Sequence, residues 1–204
     1  MSGTTQRTLA ALSLALICIA SPAPAADDTV RIRGTIERVE GPVYVVKSRD
    51  GAELKLTVTD NPLFVAIAPS TMADIKPGMF VGSAGMMQPD GVQKAIEVHI
   101  FPESMRGTGE GHYDWDLMPK SKMTNANVEQ AVTGVDGQTL TLKHKNGETK
   151  IVVPPDAPIV TYAPGSRDDL KPGVKIFAVT TKQPDGSLQA ARINYGKDGL
   201  TPPM

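Results

Sequence analysis

Cysteine is almost missing from this sequence: the one present, Cys18, lies in a leader-like N-terminal stretch. Past that stretch there is no thiol, which excludes disulfides, a cysteine nucleophile, a zinc-thiolate site and thiol–disulfide exchange. Aromatic residues are scarce at 4%, with a single tryptophan, and 21 Lys+Arg nearly balance 22 Asp+Glu. Such a chain makes a poor partner for nucleic acid. After the leader no apolar run approaches the roughly 18 residues of a spanning helix. The motifs of common catalysts are missing too: no Gly-x-Ser-x-Gly elbow, no phosphate loop and no zinc-protease helix.

The leader itself is readable. Arg7 supplies a positive start, Leu9 to Ala20 an apolar centre, and Ala23-Pro24-Ala25 a small-residue cleavage site. Residues 1–26 are therefore expected to be a secretory signal peptide cleaved near Ala25 or Ala26. A lipoprotein alternative hangs on Cys18, but Ile17 stands where a small residue is needed. The product is expected to be periplasmic or secreted, with a net charge of about −2 because Arg7 goes with the leader.

What the chain does contain is a repeat. Asp74-Ile75-Lys76-Pro77-Gly78 returns as Asp169-Leu170-Lys171-Pro172-Gly173, and Gln88-Pro89-Asp90-Gly91 as Gln183-Pro184-Asp185-Gly186, both at an offset of 95. Two distant blocks in one register point to a duplicated domain. Within each copy apolar residues alternate with polar ones, as Val30, Ile32 and Ile36 do with Arg31, Arg33 and Glu37. Asp50-Gly51 and Asn146-Gly147 suit hairpin turns of type I′. Five strands per copy follow: 30–39, 43–48, 53–59, 79–85 and 92–101, then 128–135, 138–144, 148–153, 174–181 and 187–195. A proline-bearing connection joins strands three and four, with a helical turn at Thr71–Ile75 or Arg167–Leu170 closed by Lys-Pro-Gly.

This layout predicts an all-β protein of two tandem five-stranded OB-like barrels joined by an ordered central segment. The ranges are 27–101 for repeat one, 102–127 for the segment, 128–196 for repeat two and 197–204 for a disordered tail. A generic meander or a pair of half-sandwiches is the alternative. The run Val132-Thr133-Gly134-Val135-Asp136-Gly137-Gln138-Thr139-Leu140-Thr141-Leu142, with Asp169 to Gly173, resembles exported bacterial OB-like domains of unknown function. Arg106-Gly107-Thr108-Gly109-Glu110-Gly111-His112, Trp115-Asp116-Leu117 and Met123-Thr124-Asn125-Ala126 resemble the centre of a proteobacterial two-repeat subset. The resemblance implies the fold and no activity. Relatives sometimes carry a metal-transporter permease label, which needs several spanning helices that this chain does not offer.

The unrepeated segment is the place to look for function. Arg106, Glu110, His112, Tyr113, Asp114, Trp115 and Asp116 are the candidate binding residues. In a competing reading Trp115, Tyr113 and Leu117 plug a groove between barrels while Arg106 pairs with Asp114 or Asp116. Glu110, His112, Asp114 and Asp116 are also the only compact set of possible metal ligands. The methionines are irregularly spaced and suit packing better than copper. His99 should point away from the core, and His144 sits near a strand end. The leading expectation is a non-catalytic binding or adaptor protein without a required cofactor, its partner an envelope protein or small ligand. A metal-trafficking protein and an envelope-associated enzyme are the alternatives.

Overall fold

A computed structural model of the chain describes residues 29–134 and 137–204. The expected leader, and Val135-Asp136 of the family-like run, lie outside the described residues. The described chain is all-β, with thirteen strands and four one-turn 3₁₀ segments. The strands are β1 (Thr29–Glu40), β2 (Val43–Ser48), β3 (Glu53–Pro69), β4 (Phe80–Met87), β5 (Gln93–Ala95), β6 (Val98–Ile100), β7 (Gly111–Asp114), β8 (Ser121–Gly134), β9 (Gly137–His144), β10 (Gly147–Val153), β11 (Ile159–Pro164), β12 (Lys175–Lys182) and β13 (Leu188–Gly196). No helix among the described residues is long and apolar enough to cross a membrane.

Pairing of β1, β2, β3, β13 and β12 in that order, with β12 returning to β1, closes a five-stranded barrel. Four of these contacts are antiparallel and β3–β13 is parallel. The apolar face predicted by alternation fills it: Ile32, Ile36, Val46, Leu56, Ile176 and Ile193 share one core. The remaining strands continue the same sheet, and β8, β9, β10, β5 and β4 form a second hydrogen-bonded circuit closed by β4–β8. Its core holds Val81, Ala126, Leu140, Leu142 and Ile151.

One barrel per repeat is therefore not what the pairing shows. The barrel of β1–β3 is completed by β12 and β13 from the second half, and β8–β10 are joined by β4 and β5 from the first. Each circuit takes three strands from one half and two from the other. The physical reason is that both copies carry the same apolar alternation, so either copy's last two strands can fill either barrel. The connection holding Pro62 and Pro69 is also strand: β3 runs through it, bulging between Val58 and Leu63, and its end pairs antiparallel with β11. There Ile67 faces Tyr162, its own counterpart at the 95-residue offset, so this seam behaves as a pseudo-two-fold axis.

The turns need small corrections. Glycine takes positive φ at Gly51 and Gly147, but no residue before it does, so these are not type I′ turns. At Gly91 and Gly186 the N–H donates to Gln88 and Gln183 carbonyls, giving a type I turn followed by a left-handed glycine in both copies. The expected helical turns are single 3₁₀ turns at Met72–Asp74 and Arg167–Asp169, each followed by an apolar residue, Ile75 or Leu170, that enters a core. The 197–204 tail is ordered, contrary to expectation. Met204 is 2% exposed against Ile67, Val160 and Phe177, and its main-chain oxygen accepts from Arg33 Nε at 2.9 Å.

Because each circuit needs strands from both halves, the two cores should unfold together. Leu56→Ala and Leu140→Ala are each expected to cost about 2–5 kcal/mol. In calorimetry each should lower one shared transition. Two separate transitions, with each substitution moving only its own, would contradict the exchanged pairing.

Candidate functional site

A cavity of about 420 Å³ opens at the seam, between the ends of the two circuits and under the central segment. That is within the roughly 300–1,000 Å³ usual for small-molecule sites. Phe101, Tyr113, Trp115, Tyr162 and Phe177 line it, five of the nine aromatic residues in the chain. Phe101 stacks on Tyr162 at 5.3 Å, with the His99 ring set edge-on to both. Leu63 and Val179, among the exposed large apolar side chains, stand at the rim.

The polar groups here are few and particular. Glu97, fully buried, holds His99 Nδ1 at 3.0 and 3.1 Å and accepts the Ala84 N–H at 2.8 Å. The bulge between β5 and β6 turns Glu97 inward, as the Ile96 and Glu97 amides both donate to the Ala84 carbonyl. Burial and the Glu97 charge push the neighbouring Tyr162 hydroxyl above its ordinary range, and Arg192 opposes them. Asn125 Nδ2 donates to the Thr108 carbonyl and Asn194 Nδ2 to the Phe177 carbonyl, which fixes both amide orientations. Asn125 Oδ1, Asn194 Oδ1 and Trp115 Nε1 are buried without a hydrogen-bond partner, and all three residues line the cavity.

Several expected residues are placed otherwise. Arg106 does not reach Asp114 or Asp116; it forks onto Glu103 at 2.6 and 2.7 Å, bonds the Gly78 carbonyl and meets Asn127. Asp114 pairs with Lys122 at 2.6 Å, Asp116 with Arg33 at 2.8 Å, and Glu110 accepts the Lys145 amide at 3.2 Å. Burial works to raise the Asp116 carboxyl, but the Arg33 bond and the Arg33 and Arg31 charges together hold it below the ordinary range. Glu110, His112, Asp114 and Asp116 thus face different partners, and no group of three such ligands forms among the described residues. Tyr113 and Trp115 do reach the cavity. Trp115 is half-buried, covered by Arg31 at 4.3 Å on its face and packed edge-on to Phe177, so it both anchors and lines.

Sequence reasoning missed Glu97, His99, Tyr162, Arg192 and Asn194. His99 is 2% exposed, because β6 lies between β4 and β11 and is buried on both faces. A signal was present: at the 95-residue offset Glu97-Val98-His99 aligns with Arg192-Ile193-Asn194, unlike polar residues flanking a shared apolar one. Protein-family models, curated proteins and solved structures give no match to the chain.

Two expectations follow. A Cβ at Gly82 would overlap the His99 imidazole and the Asn125 carboxamide, so Gly82→Ala should destabilise by about 1–3 kcal/mol and shift the His99 ring resonances. Unmoved resonances would contradict the packing. Burial pushes His112 below its ordinary 6.5, helped by Lys122 and His144 and opposed by Asp114. The unfolded chain therefore takes up the proton first as pH falls, and stability present above 6.5 drains away below it. Tm should fall between pH about 7.5 and 5.5, and less steeply in His112→Gln. An equal slope in that variant would remove His112 as the cause.

Proposed function

We propose that this protein is a non-catalytic periplasmic or secreted binding protein that holds a small, largely apolar ligand at the seam of two OB-like barrels. The strand order of each circuit, 1-2-3-5-4 closing on 1, with parallel pairing of its third and fifth strands, supports the OB-like description. The observation that carries the function is the meeting of one aromatic cavity with three buried polar atoms lacking partners. A buried polar atom left unpaired costs about 1–3 kcal/mol, and a fold keeps that cost where a ligand supplies the partner. Tyr113 and Trp115, from the unrepeated segment, belong to this site, which fits the resemblance to exported two-repeat proteins with a distinctive centre.

One observation favours an enzyme: an imidazole oriented by a buried carboxylate lines the cavity, the arrangement of a general base. The described lining residues include no serine or cysteine to work with it, so binding without chemistry is the reading adopted.

N-phenyl-1-naphthylamine, a neutral apolar fluorophore, should bind saturably at one site and quench Trp115 by energy transfer. Ala191→Phe and Val179→Phe, at exposed strand positions on the rim, should weaken it by about tenfold with Tm unchanged. Absence of saturable binding, or binding untouched by both substitutions, would overturn the proposal.

A further inference from the structure

We propose that the cavity is built for an organic acid: a small carboxylate with an apolar or aromatic body and at least one hydroxyl group. This rests on reading the cavity as a binding site and adds the chemistry of its occupant.

The anion is called for by Arg192. It lies half-buried on β13 and lines the cavity, and its guanidinium has no hydrogen bond or ion pair among the described residues. A guanidinium lining an apolar cavity with no carboxylate bonded to it is free to take an anion, and its planar fork matches a carboxylate. The neighbouring cations are already engaged: Arg33 bonds Asp116 and the Met204 oxygen, and Arg31 lies over Trp115. The buried side-chain carboxylate beside the cavity, Glu97, is taken up by His99 and the Ala84 amide, and the Met204 main-chain oxygen by Arg33; neither pairs with Arg192 among the described residues.

The hydroxyl is called for by the two asparagines. Asn125 and Asn194 line the cavity, are each 6% exposed, and hold carbonyl oxygens that no described group satisfies, their orientation set by their own donors. A carboxylate oxygen cannot satisfy an acceptor; an O–H can. Trp115 Nε1–H supplies a further donor for the acid. A cationic ligand would meet Arg192, and a neutral one would leave Arg192 unpaired. The aromatic walls take the apolar body.

Four related probes separate these features by calorimetry, with the indole N–H resonance of Trp115 reporting occupancy. They are 4-hydroxyphenylacetate, phenylacetate, 2-(4-hydroxyphenyl)ethanol and tyramine. 4-Hydroxyphenylacetate should bind at least about tenfold more tightly than the alcohol or amine, the size of one charge-assisted bond. Arg192→Met should erase that advantage and Arg192→Lys restore part of it, with a cooperative thermal transition retained in both. Asn194→Leu should remove the preference for 4-hydroxyphenylacetate over phenylacetate. If the acid fails to bind at millimolar concentration while the naphthylamine binds, the acid assignment falls alone. It falls also if the amine or alcohol matches the acid, or if Arg192→Met leaves the ratio unchanged. If the naphthylamine fails too, the binding-site reading itself falls.

Discussion

Backbone groups buried in a sheet must find partners, and this chain satisfies them by pairing its two halves with each other. The parallel contacts of β3 with β13 and of β10 with β5 are the closures that each half lacks alone. They draw the ends of β3 and β11 together antiparallel, with Ile67 opposite Tyr162. The sheet is therefore continuous through the seam, and the cavity has strand on most of its walls, with the central segment and the tail closing the rest. Walls of this kind hold side chains more firmly than loops do.

The central segment and the tail are fastened to that frame by two arginines of β1. Arg33 bonds both Asp116 and the Met204 main-chain oxygen, while Arg31 covers the Trp115 face. Asp116 is half exposed, so its pairing with Arg33 adds little energy by itself. Its effect is to fix direction. With Asp116 held, Trp115 turns between Tyr113 and Phe177 and leaves its N–H buried at the cavity. Packing and lining are thus two faces of one ring.

Much of the strand layout could be read from residue alternation and Gly turns. β2 and the hairpins at Pro89-Asp90-Gly91 and Pro184-Asp185-Gly186 lie where those signals put them. The exchange could not be read, because Ile176 and Val81 sit at matching places in the two copies and either serves either core. Alternation also misled at His99: it assumes one wet face, and β6 has none. Loop spacing grouped His112 with three acids, but β7 pairs with β8 and sends those side chains to Thr124, Lys122 and other separate partners. Tyr113 and Trp115 were legible because rare aromatics in an unrepeated stretch have few other uses.

The exchange also sets an order of events during synthesis. Thr29 pairs with Thr181, so β1, which has β2 beside it early, finds its other neighbour only after some 150 further residues have followed. Until then β1 to β3 present two open edges and one unfilled apolar face. Such distant pairings fold slowly and leave intermediates prone to association. The amino-terminal half must wait, as a partly formed sheet, for the carboxy-terminal half to arrive.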